Sequence, residues 1–421
     1  MKARSKDGDH PLGPVGGTGG SVQVDTGRRA RRWAGNGAHD YRISPGANRS
    51  VTHGRAARCG KAEGDLSRNL FFRADGGRSL GFGHLMRCHA LAQEARRRGL
   101  ASVFLTRPGD RSGIAKLATL GEKTVPLSGP EDPAADLTAT LGALRLALRG
   151  GGPEGTILVT DHNDLNAAWL RGARDAGPVV VSLNDLPRIR YASHLVVNGN
   201  LGAERLRYET DPGVRLLLGP AYFFFRDEFL AAGIAREAQP ETARRIAVTL
   251  GAGDPRNVTQ LVLEALEWAG DALEVTLILG GAYGHFESIE RAAARSRHRV
   301  TIARDLAAPA RLFASAELAV CAGGSTAYEM AILGVPAVVL ILSETQADAA
   351  RALDGEGVAL CAGTPDGARI LDAVESLRSD AGRRREMAAR GGRLLDGMGR
   401  RRVLEAAEAL REGKREGEAL A

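Results

Sequence analysis

Short apolar runs of strand type alternate with helical stretches in two successive series, and this alternation limits the fold more than any other feature. In the first series, runs such as TILVT at 156–160 and VVVSL at 179–183 are rich in Val and Ile. The second series has comparable runs at 246–250, 274–279, 300–303, 318–321 and 337–342. Continuous apolar strands suit parallel sheets that helices cover on both faces. The pattern therefore predicts two doubly wound α/β domains, with a ligand cleft where the carboxyl ends of their strands face each other.

Composition divides the chain into three parts. Residues 1–68 are rich in Gly, Arg, Ser and Asp and show no periodic hydrophobicity, so they cannot offset the entropy of ordering. We expect either a disordered tail or sequence upstream of the true start. Residues 69–225 and 226–421 are the expected N-terminal and C-terminal domains, with closing helices at the end of the second. An aromatic segment, GPAYFFFR at 219–226, is expected to join them.

The positive charge of the chain is confined to its first residues. The formal net charge is +7, but residues 1–69 hold 13 Lys and Arg against 6 Asp and Glu, which leaves 44 of each sign elsewhere. Because the expected domains are neutral, they offer no broad electrostatic surface to a polyanion, and we expect no nucleic-acid partner. A small phosphate group could still bind through local dipoles.

The cysteines and the apolar runs limit the location and the chemistry. No two of the four cysteines have CxxC spacing, so neither a zinc site nor a disulfide framework is indicated. No apolar run reaches the roughly 18 residues of a membrane span, and the N-terminus lacks a secretory apolar core. We therefore expect a cytoplasmic protein without stable membrane insertion, without a metal and without a cofactor.

The loop after the first strand, within RADGGRSLGFGHLMR, combines glycines with a histidine. It lacks the third glycine and the later acid of a dinucleotide fingerprint, so NAD binding is disfavoured. His84 lies at the predicted helix start, where it could position or activate water or could be only a polar cap. Asp75 and Arg87 are its candidate catalytic partners, or a structural ion pair. Gly81 and Gly83 would allow close approach to a ligand.

A second glycine loop, within AVCAGGSTAYEMAILG, runs from a strand into a helix. Gly323 and Gly324 precede two hydroxyl residues, and backbone N–H groups at the helix start, with Ser325 and Thr326, could cradle a diphosphate. Glu329 lies on the same helix face as Ser325, where its carboxylate could accept both hydroxyls of a ribose. The alternative is a capping box, in which a hydroxyl caps the helix and Glu329 is its partner.

Two further segments are weaker candidates for the same ligand. GAGDPRN is a third glycine loop after a strand, and its Gly251 and Gly253 could face the diphosphate while Asn257 caps the next helix. Gln346 follows a later strand and could contact phosphate or sugar. Ordinary loop roles are the alternative for all of them.

The order of these motifs resembles a known family. The chain resembles the UDP-sugar hydrolases of pseudaminic acid biosynthesis, because it carries RADGG with GxGHxMRC, then GxGDPxN, then AGGSTxxE and a later Gln. Spore-coat polysaccharide proteins belong to the same group, and the GT-B glycosyltransferases are its relatives. The resemblance spans about 69–395. It implies a GT-B-like pair of Rossmann-like domains that hydrolyses UDP-2,4-diacetamido-2,4,6-trideoxy-β-L-altropyranose to the free sugar and UDP. His84 matches the catalytic histidine of the family, and the segment from Gly323 to Glu329 matches its UDP-binding segment.

Some positions depart from the family pattern. The segment Asp161-His162-Asn163-Asp164 lacks the usual tyrosine, Asn184-Asp185 stands where paired acids are usual, and Thr345 replaces an asparagine before Gln346. These residues would face the sugar, so the sugar stays open, as does the oligomeric state. Two alternatives to hydrolysis also stay open: a GT-B glycosyltransferase that uses a UDP-sugar donor, and a nucleotide-sugar binder without catalysis.

Overall fold

The computed structural model describes residues 69–78, 80–148, 153, 155–232 and 239–413, so the tail predicted at 1–68 lies outside the described residues. The strands are β1 (Leu70–Ala74), β2 (Ser102–Thr106), β3 (Lys123–Pro126), β4 (Ile157–Asp161), β5 (Val179–Leu183), β6 (Arg190–Tyr191), β7 (Leu195–Asn198), β8 (Glu209–Thr210), β9 (Arg215–Leu218), β10 (Arg245–Thr249), β11 (Glu274–Leu279), β12 (Arg299–Arg304), β13 (Leu318–Ala322), β14 (Ala337–Leu340) and β15 (Leu360–Gly363).

The α-helices alternate with the strands from β1 to β5 and again from β10 to β15. They are α1 (Gly83–Arg97), α2 (Ser112–Thr119), α3 (Pro133–Ala147), α4 (Ala167–Asp175), α5 (Asp227–Ala231), α6 (Val258–Leu266), α7 (Phe286–Arg295), α8 (Ala310–Ala314), α9 (Ser325–Ile332), α10 (Ala347–Gly355), α11 (Gly367–Arg378), α12 (Ala381–Leu394) and α13 (Gly399–Arg411).

Two parallel sheets organise these elements, as the alternation predicts. The N-terminal sheet has seven strands in the order β3-β2-β1-β4-β5-β7-β9, and the C-terminal sheet has six in the order β12-β11-β10-β13-β14-β15. In each sheet the strand order reverses beside the first strand, and such a switch point opens a crevice at the carboxyl ends of the strands. The fold is α/β with two Rossmann-like domains, which confirms the predicted class.

Helices cover both faces of each sheet because the strands are apolar on both sides. In β1, Leu70 and Phe72 join one core while Phe71 joins the core on the opposite face. The same division separates the two cores of the C-terminal sheet. The parallel register pairs Ala74 of β1 with Asp161 of β4, so the last residues of these strands reach the same sheet edge. This edge carries the N-terminal half of the cleft.

The aromatic segment holds the two domains together by alternating its side chains. Phe224 packs into the N-terminal core, whereas Phe223 and Phe225 pack with residues of the C-terminal domain. Phe223 also stacks on Tyr328 of α9, with ring centroids 4.2 Å apart. Because side chains of an extended segment point alternately to opposite sides, one short run can contact both domains.

The end of the chain differs from the predicted boundary of 226–421. Helix α13 packs on α1, and its Val403, Leu404 and Ala407 belong to the N-terminal core. The buried Arg400 of α13 holds this helix in place by donating to the Ala90 carbonyl (3.0 Å) and to the Asp227 carboxylate (2.7 Å). The last helix therefore closes the N-terminal domain and not the C-terminal one. Within the described part of the chain, no helix is both long and apolar enough to cross a membrane.

Candidate functional site

A cavity of about 260 Å³ lies between the carboxyl ends of the two sheets. This first cavity brings together the two loops that the sequence singles out. Its N-terminal wall includes Gly83, His84, Arg87, Asp185 and Asn200, and its C-terminal wall includes Gly323, Gly324, Ser325, Glu329, Thr345 and Gln346. Its volume is just below the usual range for ligand pockets, which begins at roughly 300 Å³. It is the candidate site.

His84 is the second residue of α1 and faces the cavity. The residue before the helix is Phe82, and no side chain caps α1, so the structure does not use His84 as a cap. The imidazole is about a quarter exposed, and its Nε2 lies 3.9 Å from Asp161 Oδ1, which is beyond hydrogen-bonding distance. An imidazole of this kind can accept or donate a proton in the cavity without first breaking a structural bond.

Arg87, one turn further along α1, joins two carboxylates at the wall of the cavity. It donates two bonds of 2.7 Å to Asp161 and one of 2.5 Å to Asp185. Asp185 is 44% exposed but lies in the cleft, where partial desolvation disfavours its charged form; Arg87 outweighs this and lowers the pKa of the carboxyl. The two carboxylates in turn outweigh burial and raise the pKa of Arg87 well above its ordinary value. The sequence offered one signal for this cluster, namely an acid at the end of β4 and another two residues after β5.

Asp75, the other candidate partner of His84, belongs to a different cluster. It accepts bonds of 2.7 and 2.9 Å from the fully buried Arg73 and one from the Arg107 backbone N–H (2.7 Å). His162 Nε2 lies 3.0 Å from its second oxygen. Asp75 is not among the described residues that line the first cavity. Of the three candidate catalytic residues, the structure therefore places His84 and Arg87 at the cavity and Asp75 beneath the sheet edge.

On the C-terminal side, α9 points its N-terminus into the cavity. Gly324 precedes the helix without a side-chain cap, and Ser325 and Thr326 are its first two residues. Within the described residues, neither hydroxyl forms a hydrogen bond, and Thr326 does not line the cavity. Glu329 bonds to Arg226 (3.1 Å) and not to the helix start, so the capping-box alternative is not realised.

Glu329 is a carboxyl held in a poorly solvated position. Burial raises its pKa, and the neighbouring Arg226 guanidinium offsets this only in part. Its side chain is 15% exposed and lines the cavity. A carboxylate in this position can accept hydrogen bonds from hydroxyl groups of a ligand, and it does so better when it is ionised.

Gly323 allows β13 to end against α10. A Cβ atom there would lie 2.9 Å from the Ala350 Cβ and 3.2 Å from Val339, so a side chain would force these elements apart. Gln346 lies beside the same turn, where its Oε1 accepts from the Leu342 N–H (3.1 Å) and its amide nitrogen faces Gly324. Gly323 therefore holds the turn in shape, and Gln346 lines the cavity beside it.

The remaining predicted glycines lie outside the first cavity. Gly81 has a left-handed φ of 77° and pairs with Gly77 in a short bridge, which sets the turn before α1. Gly251 also has a positive φ, of 92°, in the loop that follows β10. Gly253 lies in the same loop, and none of the three is among the described residues that line this cavity. Arg256 donates to the Leu342 carbonyl, so this loop lies beside the end of β14.

The expectation that Asn257 caps α6 is wrong in its detail. Asn257 occupies the N-cap position, but the Asp254 carboxylate accepts from the backbone N–H groups of Val258 (2.8 Å) and Thr259 (2.7 Å). Asp254 sits three residues earlier, and a positive φ at both residues folds its carboxylate over the helix start. The Asn257 side chain instead accepts a bond from the Tyr283 hydroxyl.

Proteins similar in sequence to this chain include one from a bacterium and one from an archaeon. No family model matches the chain. The spore coat polysaccharide biosynthesis protein SpsG of Bacillus subtilis is 30% identical over 239 residues, which cover 54% of this chain and 68% of that protein. An uncharacterized protein of Methanocaldococcus jannaschii is 23% identical over 281 residues, which cover 65% of this chain. The match spans only 55% of that archaeal protein.

Solved structures share the fold at low sequence identity. MurG of Acinetobacter baumannii (16% identity, TM-score 0.58) matches over 81% of this chain and 99% of its own. The calicheamicin glycosyltransferase CalG4 (17%, TM-score 0.56) matches over 81% and 97%. A putative UDP-N-acetylglucosamine 2-epimerase from Listeria monocytogenes (12%, TM-score 0.56) matches over 83% and 98%. The fold is therefore that of the GT-B glycosyltransferases, and it serves more than one reaction.

Proposed function

We propose a function from one premise: the chain belongs to the family of the spore coat polysaccharide biosynthesis protein SpsG. The protein is an enzyme of polysaccharide biosynthesis that transfers a sugar from a UDP-sugar donor. One observation carries this proposal: a single cavity is lined by His84 at the start of α1 and by Gly323, Gly324 and Ser325 at the start of α9.

The start of α9 suits the diphosphate of the donor. The first N–H groups of a helix have no partner within the helix, and the helix dipole places partial positive charge there. The hydroxyl of Ser325, which lines the cavity, adds a further donor at the helix start. When the bond between the sugar and UDP breaks, negative charge develops on the departing diphosphate, and fixed donors at that point stabilise it.

Glu329 binds the ribose of the donor, and His84 acts as the general base. The Glu329 carboxylate lies one turn into α9, where it can accept the ribose hydroxyls. His84, across the cavity, can take the proton from the hydroxyl that attacks the anomeric carbon. In the reaction a bond forms between the acceptor oxygen and the anomeric carbon. The bond from that carbon to the UDP oxygen breaks, and its electron pair stays on UDP. The imidazole receives the proton of the acceptor hydroxyl.

Two findings favour transfer to an acceptor. CalG4, which shares the fold, is a glycosyltransferase, and SpsG serves the biosynthesis of a polysaccharide, which requires glycosidic bonds to form. Hydrolysis, with water in place of the acceptor, is the second candidate. The motif GFGHLMRC, which resembles that of the UDP-sugar hydrolases, and the position of His84 at the cavity favour it.

The test measures UDP release from a panel of UDP-sugars, with and without methyl glycosides as acceptors. Transfer predicts release that depends on the acceptor, whereas hydrolysis predicts release in water alone. His84→Ala should lower turnover by roughly 100-fold or more, with UDP affinity unchanged. His194→Ala is the matched control, because His194 lies before β7 at the opposite edge of the sheet. Full activity of His84→Ala, or no binding of UDP, would contradict the proposal.

A further inference from the structure

A second cavity, of about 460 Å³, adjoins the first on the side of β7 and α10. The two cavities share Asp185, Asn200, Thr345 and Ala349 as lining residues. A ligand in the second cavity can therefore reach the first past these four side chains. The second cavity is the larger of the two. Hydrolysis consumes only water besides the UDP-sugar, so it would leave this cavity without a ligand.

Its N-terminal wall is rigidly built. The Asn198 side chain donates to the Asp185 carbonyl (2.9 Å) and accepts from the Asn200 backbone N–H (3.0 Å). Asn200 in turn donates to the Asp185 carboxylate (2.9 Å), and the Tyr328 hydroxyl of the C-terminal domain accepts from the Leu201 N–H (2.8 Å). Side chains held by such bonds lose little entropy when a ligand binds, which favours binding.

The lining indicates the class of the ligand. Charged side chains of both signs line the space, with Arg205 and Arg351 against Asp348 and Glu356, and apolar residues such as Leu186, Leu201 and Leu206 lie between them. Within the described residues the Arg205 guanidinium has no partner, and that of Arg351 has only an exposed pair with Asp348. An apolar chain would desolvate the charged groups without compensation, and a polyanion would meet three carboxylates, Asp185 included, against two guanidinium groups. Hydroxyl groups, which donate and accept, suit such a wall.

We propose that the second cavity binds the acceptor, a polyhydroxylated carbohydrate, with its reacting hydroxyl at the wall shared with the first cavity. This inference rests on the proposed function. Asp185 stands at the shared wall with a carboxylate that is 44% exposed. One of its oxygens accepts from Arg87 and Asn200, and the carboxylate as a whole can orient the acceptor hydroxyl beside the donor.

Two variants remove the acceptor site without touching the nucleotide side. Ala352→Phe enlarges a lining side chain of α10 and narrows the cavity beside Gly202, where a Cβ would lie 3.8 Å from the Ala352 Cβ. Arg205→Ala removes a cavity side chain that is exposed, so this variant should fold even if the first does not. Arg207→Ala is the matched control, since Arg207 is also exposed but does not line the cavity.

Binding is measured by ligand-observed NMR with methyl glycosides of hexoses and N-acetylhexosamines in the presence of UDP, and UDP affinity by calorimetry. We expect Ala352→Phe to weaken glycoside binding at least about tenfold and Arg205→Ala at least about threefold. UDP affinity should stay within about twofold in every variant, and Arg207→Ala should match the wild type.

Two results would overturn the acceptor site while leaving the nucleotide site intact. One is a wild type that binds UDP but none of the glycosides. The other is glycoside binding that neither Ala352→Phe nor Arg205→Ala weakens. A wild type that fails to bind UDP would instead overturn the proposed function, and the acceptor site with it.

Discussion

Replacing Asp75 with Asn should lower the free energy of unfolding by about 3–5 kcal/mol, because it leaves a buried guanidinium short of one carboxylate. Arg73 is fully buried and bonds to Asp75 and to Asp136. Arg107 shares Asp136, so this cluster holds two cations and two carboxylates. The neutral amide introduced by Asp75→Asn cannot compensate the charge, and the surplus positive charge stays in a poorly solvated site.

The loss should depend on pH. Burial disfavours the ionised form of Asp75, but its bonds from His162 and Arg73 outweigh burial and hold its pKa well below the ordinary value. A carboxyl with a lowered pKa in the folded state contributes stability above the pKa of the unfolded state, near 4. That contribution is lost as the pH falls towards the folded-state pKa. The difference between the wild type and Asp75→Asn should therefore be full at pH 7 and shrink below about pH 4.

The assay is urea unfolding at several pH values, followed by circular dichroism, with thermal unfolding beside it. At about 2–4 °C per kcal/mol, the melting temperature should fall by roughly 6–20 °C. Asp164→Asn is the control, because its side chain is 82% exposed and its loss should change stability by less than about 0.5 kcal/mol. If Asp75→Asn unfolds like the wild type but loses turnover, Asp75 acts in the chemistry and the structural argument fails.

Two further substitutions test the C-terminal side of the cavity. Glu329→Gln should weaken UDP binding about tenfold near pH 7, since a hydrogen bond to a charged group contributes about 1.5–3 kcal/mol. The wild type should also lose UDP affinity as the pH falls through the raised pKa of Glu329, whereas the variant should lose less; equal pH profiles by calorimetry would refute this role. Gly323→Ala should cost about 1–3 kcal/mol of stability because its Cβ would meet Ala350 and Val339, while Gly83→Ala, with no atom within 4 Å, should unfold like the wild type.

The fold could be predicted from the sequence because the signals of its strands and helices are local. The central strands of the two sheets are short apolar runs, most of them followed by a turn and a helix, whereas the edge strand β3 (KTVP) carries no such signal. The position of α13 was not accessible in this way. Its stripe of Val403, Leu404 and Ala407 shows that it packs on something, but the stripe does not say on which domain. That choice depends on α1 and on the contacts of Arg400, which are remote in sequence.

The site was accessible where the motif itself carries the geometry. A strand, a glycine turn and a helix place His84 and Ser325 at helix starts, and parallel sheets bring such starts to one edge. The partners were not accessible, because they come from other strands. Asp161 and not Asp75 approaches His84, since β4 pairs beside β1 and ends level with it. Arg226, which bonds to Glu329, comes from the segment between the domains.

Charge decides which of the two helix starts takes the diphosphate. Both α1 and α9 point their N-termini into the first cavity, so both present a partial positive charge. Beside α1, however, Asp161 and Asp185 share the single guanidinium of Arg87, which leaves negative charge next to His84. Beside α9, Arg226 also bonds to two carboxylates, Glu329 and Glu228, but burial raises the pKa of both, so they take up a proton beside an incoming dianion more readily than Asp185, whose pKa is lowered. A diphosphate is therefore favoured at α9, and α1 is left to the reacting sugar and the proton.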